Sequence, residues 1–244
     1  MDHFDEVEDS RRRLLIKMLT AGVLAGTSAA EPAQGESVFG SVPEKLPPGR
    51  SIFSLEGSVE VNGKQATLAT QIRPNDTVKT GKQSSVIFVV GGHSMILRSD
   101  SHLVMEAEEQ DANPIISVLR LITGKLLSVS RDRRYSLRTP TATIGIRGTG
   151  IYAEAESEQT YFCTCYGSTE VVANQDATSR ETVVSQHHDK PLYILGGEPQ
   201  GKNIRNAPFI NHTDQELMLI EALVGRTPPF VFPDSNYSAP RRRY

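Results

Sequence analysis

Two cysteines and a histidine pair are the residues whose types and spacing best suit chemistry. Cys163 and Cys165 stand one residue apart in a segment of strand character, so both side chains project from the same face. A disulfide between residues two apart in a strand is strained, which favours metal ligation or free thiols. Together with His187 and His188, the thiolates would suit Zn²⁺, with Asp189 or a water molecule as the fourth ligand.

A predicted β-hairpin would bring these residues together. Its strands are expected at 160–173 and 181–188, with the loop between them at 174–180. That pairing places Cys165 across from His188 and Tyr166 across from His187, whereas a shift of one residue would exchange the histidine that faces the thiols. Two alternatives stay open at this point: buried structural cysteines beside surface histidines, and a redox pair of thiols.

Short apolar runs separated by turns indicate an all-β fold. The dipeptide Asn62-Gly63 predicts a two-residue hairpin turn, and the apolar run 85–90 predicts a strand buried on both faces. Further strands are expected at 94–97, 102–107, 115–122, 125–130, 135–138 and 150–156. Because no long helices separate them, we expect a rolled or sandwich-like antiparallel β domain.

One helix is predicted near the C-terminus. Thr213 and Glu216 form a capping-box sequence ahead of an apolar stripe, and Gly225 followed by two prolines ends the pattern. The helix is therefore expected at 214–224, where it would cap the sheet. A basic tail that includes Arg241-Arg242-Arg243 follows it.

The first thirty residues have the pattern of an export signal. Arg12 and Arg13 precede an apolar pair and a lysine, as in twin-arginine signals, and the apolar stretch that follows is too weak for a transmembrane helix. We expect cleavage after Ala30 and a periplasmic protein without a stable membrane span. The alternatives are an amphipathic helix and an uncleaved anchor facing the periplasm. The layout is then a signal at 1–30, a linker at 31–50, a β domain at 51–195 and a C-terminal extension at 196–244.

Composition and motifs exclude several classes of function. The chain has 26 Lys and Arg against 29 Asp and Glu, a net charge of −3 that gives no field to attract nucleic acid. Two cysteines are too few for a disulfide framework. The sequence contains no Gly-x-Ser-x-Gly elbow and no nucleotide-binding glycine motif, so we expect a protein that is not an enzyme.

From about Gly57 to Ala173 the sequence resembles the extracytoplasmic domain of the FecR family. The run Asn75–Gly81 is similar to the family's turn between early strands, and residues 139–149 are similar to its signature of a Thr-Pro pair, an apolar strand and Arg-Gly-Thr. The signature residues here are Thr139, Pro140, Arg147, Gly148 and Thr149. Pro140 restricts Thr139 to extended geometry, which suits the start of a strand. For Arg147 we expect an internal tie across the fold, with a ligand-clamping role as the alternative.

The resemblance implies a non-catalytic binding or sensory module, since FecR proteins relay outer-membrane iron uptake to sigma factors. Little chain precedes the arginine run, so we do not expect a cytoplasmic segment that contacts a sigma factor. The expected partner is an envelope protein or a small ligand. One alternative is a Zn-binding or thiol redox protein that uses the cysteine and histidine pairs. Another is a structural envelope protein whose open strand edge pairs with a partner.

Overall fold

A computed structural model of the protein describes residues 43–110, 113–198 and 200–230. The predicted export signal with Arg12 and Arg13, most of the predicted linker and the basic tail lie outside the described residues. Side chains are described for these ranges except at 109, 110, 113, 114 and 131–133.

The described residues form thirteen strands and one helix. In chain order these are β1 (Ile52–Glu56), β2 (Val59–Val61), β3 (Lys64–Gln65), β4 (Thr77–Thr80), β5 (Ser85–Val90), β6 (His93–Leu97), β7 (His102–Gln110), β8 (Asn113–Arg138), β9 (Ala142–Ala155), β10 (Gln159–Ala173), β11 (Asp176–Ser185), β12 (Leu192–Leu195), β13 (Ile204–Asn206) and α1 (Asp214–Leu223).

All strand pairs are antiparallel and belong to one open sheet. The main path runs β13-β12-β10-β9-β8-β7-β4-β2-β3; in addition, β11 pairs with β10, β6 joins β5 to β8, and β1 pairs with β5. The sheet rolls around one large apolar cluster to which strands from both ends of this path contribute. The predicted all-β fold with one C-terminal helix is therefore confirmed.

The central strands are buried on both faces. On β5, Val86 and Phe88 point into the main core, whereas Ile87 faces a second apolar cluster on the other side of the sheet. On β10, Phe162 enters the main core, and Cys163 faces the second cluster. Strand alternation thus gives the sheet two cores, and the second one lies beneath α1.

The structure merges several predicted strands into longer ones. The runs expected at 115–122, 125–130 and 135–138 are parts of the single strand β8, which pairs first with β7 and then with β6 and β9. A register shift between Ser130 and Arg134 bends the strand without ending it. Sequence breaks at these points marked bends and changes of partner, not turns.

The hairpin turn at Asn62-Gly63 is confirmed. Both residues have positive φ, 52° for Asn62 and 74° for Gly63, as a two-residue turn between β2 and β3 requires. The return strand is short: it ends at Gln65, and Leu68 beyond it is 51% exposed.

The predicted helix is confirmed with its caps. The Thr213 hydroxyl accepts a hydrogen bond from the Glu216 backbone N–H, and the Glu216 carboxylate accepts one from the Thr213 backbone N–H. At the other end, the backbone N–H of Gly225 donates to the Ala222 carbonyl. Leu217, Ile220 and Leu223 of the apolar stripe are buried in the second cluster. Among the described residues, no helix has both the length and the apolarity to cross a bilayer.

The Thr-Pro pair of the signature forms the tight connection from β8 to β9. The Thr139 hydroxyl accepts from the Ala142 N–H at 3.0 Å and lies 2.7 Å from the hydroxyl of Thr160, which also contacts Thr141 at 2.8 Å. These buried threonines hold the connection against β10, so the pair precedes the strand as expected. The sheet continues past the predicted boundary at 195, because β13 pairs with β12.

Arg147 lies on the outer face of the sheet, and its side chain is exposed. Residues of β9 alternate between Ile144 and Ile146, which are buried, and Arg147, which points away from the core. Its guanidinium forms no hydrogen bond or ion pair with another described residue. This placement corrects the expectation of an internal tie, because strand alternation puts the guanidinium in solvent.

Candidate functional site

A bulge in β10 presents both cysteines to the second apolar cluster. Thr164 pairs with Ile151 and Tyr166 pairs with Gly150, so Cys165 is an extra residue between two regular pairs. The thiols of Cys163 and Cys165 are free, fully buried and on the side of the sheet that α1 covers. As predicted, the two side chains share a face.

Two close backbone approaches shape this bulge. A Cβ atom on Gly150 would lie 2.5 Å from Cε1 of Tyr166, and a Cβ atom on Gly167 would lie 2.7 Å from the carbonyl oxygen of Gly148. Gly148 and Thr149 of the signature therefore lie where β9 and β10 change register. The physical role of this part of the signature is to let the strands bend next to the cysteines.

A turn after β11 brings His188 to the cysteines. The strand ends at Ser185, and His188 adopts a positive φ of 55° that directs its backbone N–H to the Cys165 carbonyl at 2.9 Å. Its Nδ1 lies 3.4 Å from the Sγ atom of Cys163. The predicted proximity of Cys165 and His188 is thus present, although a turn and not a regular strand pair creates it.

His212, in the segment before α1, completes the group. Its Nε2 lies 3.1 Å from Nδ1 of His188, and its Nδ1 lies 2.7 Å from the carbonyl oxygen of Ile210. The ring stacks on Tyr152 with a centroid separation of 4.5 Å. Docking of α1 on the sheet therefore places an imidazole from the C-terminal segment against the thiols.

The resulting cluster consists of Cys163, Cys165, His188 and His212, and we refer to it as the Cys/His cluster. One potential ligand atom from each residue lies within 4.8 Å of the others, and all four residues are buried. Phe209 covers the two imidazoles, at centroid distances of 4.4 Å from His188 and 4.6 Å from His212. The donor atoms therefore face one another in an enclosed space.

Two predicted ligands lie outside the Cys/His cluster. Nε2 of His187 contacts the Asp214 carboxylate at 2.9 Å, and its side chain is 34% exposed. Asp189 caps the turn, accepting from the backbone N–H of Gln186 at 2.7 Å. His187 instead forms a second group of donor atoms with His188 and Asp214, all within 4.8 Å of one another, because the turn after Ser185 ends the strand alternation.

Asp214 connects the histidines to the start of α1. Its carboxylate lies 3.0 Å from Nε2 of His188 and is 4% exposed at the side chain. Burial lowers the pKa of His188, but hydrogen bonds with Asp214 and Cys163 outweigh burial and raise it to about 9. The side of the His188 ring that faces away from the thiols is thus held by an acidic partner.

The two thiols differ in acidity. Burial raises the pKa of Cys163, but hydrogen bonds from Cys165, His188 and His212 outweigh it and hold that pKa well below the usual thiol value. Burial, with the neighbouring Cys163, raises the pKa of Cys165 well above that value. Of the two thiols, Cys163 is therefore the more acidic.

Two further carboxylates of α1 contact the sheet side. Glu216 forms an ion pair with Arg98 at 2.7 Å, and the Arg98 guanidinium lies 5.5 Å from the centre of the Tyr152 ring. Glu221 accepts hydrogen bonds from the Tyr166 hydroxyl and from Nε of Arg226. Asp214 is the third acidic contact, so the helix is held by buried polar contacts along its whole length.

A cavity of about 580 Å³ lies elsewhere, between the chain before β1, the β5–β6 turn and the end of α1. Its lining includes Lys45, Arg73 and Leu223 but no cysteine or histidine. The Cys/His cluster is therefore not the wall of this cavity. Chemically, the cluster can ligate a metal ion, and its Cys163–His188–Asp214 chain has the contacts of a nucleophile with its base.

Sequence reasoning missed His212 and the contact role of Asp214. Both flank Thr213, the N-cap residue of the capping box, so the signal was a histidine and an acid at the start of a helix expected to cover the sheet. Nothing in the spacing links them to residues about twenty-five positions earlier.

Comparisons with known proteins find a family model and solved structures that are similar to part of the chain. The family model described as FecR protein matches residues 76–183, a range that contains both cysteines but neither His188 nor His212. Two crystal structures of a candidate anti-sigma factor from Parabacteroides distasonis ATCC 8503, at 1.65 and 2.50 Å resolution, share 13% identity with a TM-score of 0.42. The alignment covers 54% of this chain and 58% of theirs. No curated protein matches the chain.

Proposed function

We propose, from the premise that residues 76–183 form a FecR-family domain, that the chain is a non-catalytic binding and sensory module of the bacterial envelope. The family match is the observation that carries the proposal. The regulatory role of FecR proteins in outer-membrane iron uptake suggests signalling of that type. An exported, periplasmic location follows the same family logic and is supported by the twin-arginine pattern at Arg12 and Arg13.

Burial of the reactive groups supports a role without turnover. Cys163, His188 and Asp214 have the contacts of a Cys-His-Asp triad, yet they are only 0%, 9% and 5% exposed. A catalytic nucleophile must reach its substrate, and the cavity described above is lined by none of the three. The geometry therefore favours packing or ligation over attack on a substrate.

The proposal can be tested with the full chain and a Lys-Lys variant of the arginine pair. In a Gram-negative host, the tagged wild-type chain is expected in the periplasm and cross-linked to an envelope protein. Arg12→Lys/Arg13→Lys leaves the β domain intact, so it is expected to stay in the cytoplasm without that product. Equal periplasmic amounts of both chains would contradict export through the arginine pair, and a wild-type chain that stays in the cytoplasm would contradict export itself. Hydrolysis of a peptide, ester or glycan that Cys163→Ala abolishes would contradict the non-catalytic role.

A second candidate function is a structural envelope role through an open strand edge. Within the part of the chain that the structure describes, β11 pairs only with β10. Val184 lies on this strand and is 75% exposed, beside Ser168 of β10 in the register. An exposed edge with an apolar side chain is suited to accept a strand from a partner protein.

A charge at position 184 should separate the two roles. Val184→Lys is expected to weaken cross-linking to the envelope partner at least about tenfold if β11 accepts a strand, since lysines on an edge block pairing. Leu68→Lys is the matched control, because Leu68 is also exposed but lies beyond β3. Unchanged cross-linking of Val184→Lys, with the thermal unfolding midpoint of the wild type, would argue against the β11 edge.

A further inference from the structure

We propose that the Cys/His cluster binds one Zn²⁺ ion and that this ion fastens the C-terminal helix to the FecR domain. The ligand set differs from the one expected from sequence by His212 in place of His187. Zinc binding requires neither export nor an envelope partner, so this inference and the proposed function can fail separately.

The donor atoms lie close to the spacing of a tetrahedral site. Zn–S distances of about 2.3 Å and Zn–N distances of about 2.0–2.1 Å imply ligand–ligand separations of roughly 3.3–3.8 Å. Sγ of Cys163 lies 3.4 Å from Nδ1 of His188, which lies 3.1 Å from Nε2 of His212. With Cys165, all four atoms lie within 4.8 Å of one another, so small shifts would surround an ion.

Each imidazole is oriented as a zinc ligand. His188 turns Nδ1 to the cluster while Nε2 contacts the Asp214 carboxylate at 3.0 Å. His212 turns Nε2 to the cluster while Nδ1 contacts the Ile210 carbonyl at 2.7 Å. Metal-binding histidines usually donate their other N–H to a carboxylate or a carbonyl in this way, which fixes the tautomer and the ring plane. Both partners come from the segment around the start of α1.

Charge and softness select the metal. Two thiolates and two neutral imidazoles form an S₂N₂ set, which favours Zn²⁺ over hard cations that prefer oxygen ligands. The two negative thiolates balance the charge of the ion, and this neutrality matters in a site whose four residues are all buried. The protein supplies four ligands, so the site suits a structural ion with no open position for a substrate.

The ligands come from three separate parts of the chain. Cys163 and Cys165 belong to β10, His188 follows β11, and His212 precedes α1. The last two lie beyond the residues that match the family model. An ion here would therefore join the FecR domain to its C-terminal extension, and loss of the ion should loosen α1.

Metal analysis of the purified full chain tests the inference. We expect one zinc per chain, replaceable by Co²⁺ with the visible absorption of a tetrahedral thiolate site. His212→Gln is expected to weaken zinc binding at least about 100-fold, because ligand removal should exceed the 10–100-fold effect of losing an outer partner. His187→Gln separates the two donor groups, since His187 belongs to the group with His188 and Asp214 but not to the Cys/His cluster. This variant should bind zinc within about threefold of the wild type, and loss of zinc from it would overturn the assignment of the ion to the cluster.

Chelation provides a readout that needs no variant. Removing zinc should lower the urea midpoint of the wild type, and re-addition should restore it. If His212→Gln does not fold, Asp214→Asn replaces it, with zinc binding weakened about 10–100-fold through His188. The inference would be overturned by a protein that is purified without zinc and whose urea midpoint changes with neither chelator nor added zinc. A Cys163–Cys165 disulfide would also overturn it, and so would equal zinc binding in wild type and in a folded His212→Gln or Asp214→Asn chain.

Discussion

Replacing Glu221 with alanine is expected to lower the free energy of unfolding by about 3–5 kcal/mol. The carboxylate is fully buried, accepts from Nε of Arg226 at 2.7 Å and also accepts from the Tyr166 hydroxyl. Truncation would remove this acceptor from a guanidinium whose side chain is only 17% exposed. Most of this loss comes from the buried donors that remain without their acceptor. The free-energy cost of removing one partner of a buried pair is larger than the net contribution of the intact pair to stability.

An exposed ion pair provides the control for Glu221. Glu106 contacts Arg120 at 3.3 Å on the outside of the sheet, with both side chains at least 40% exposed. Glu106→Ala should therefore change stability by about 1 kcal/mol or less. Urea unfolding followed by far-UV circular dichroism measures both variants. Similar losses for the two would mean that the buried carboxylate does not hold α1 on the sheet.

Replacing Gly167 with alanine is expected to cost about 3 kcal/mol or more. Gly167 has a φ of 95°, which an alanine adopts only with strain. The new Cβ atom would also lie 2.4 Å from Cγ2 of Thr149 and 2.7 Å from the carbonyl oxygen of Gly148. Backbone atoms cannot move aside cheaply, so the bulge next to Cys165 would have to open.

Gly145 is the matched control for this substitution. It lies on the neighbouring strand β9, and the nearest atom to a Cβ there would be 3.9 Å away. Gly145→Ala should therefore leave stability within about 0.5 kcal/mol, or raise it slightly, since alanine reduces the entropy of the unfolded chain. Chemical unfolding of the two variants tests the pair, and a tolerated Gly167→Ala would show that the bulge is not constrained as described.

Local patterns predicted much of the fold. Positive φ values at Asn62-Gly63, the capping box at Thr213 and the two-faced burial of β5 depend on neighbours in sequence, and all three are present. The lengths of β8 and β9 were not predictable in the same way. A bend within a strand and a turn between two strands have similar local sequences. Which of the two forms depends on the strand with which the following residues pair, and that partner is distant in sequence.

The Cys/His cluster likewise combines residues that local sequence patterns predicted with one residue that depends on long-range packing. Strand alternation predicted the shared face of Cys163 and Cys165, and the hairpin predicted the approach of His188. His212 joins only because α1 docks on the sheet, a long-range event without a sequence period. For Arg147 the expected internal contact was wrong, although the alternation of buried and exposed residues along β9 already indicated an exposed side chain.

The wide spacing of the cluster along the chain also sets an order of assembly during synthesis. A ribosome delivers the strands of the sheet before His212, so the β domain can begin to fold while the fourth donor is still unmade. During synthesis the cluster can therefore close only after the segment that carries His212 has been made. A transport route that accepts folded chains would then carry a finished cluster across a membrane, whereas a route that threads unfolded chains would deliver its four donors one after another.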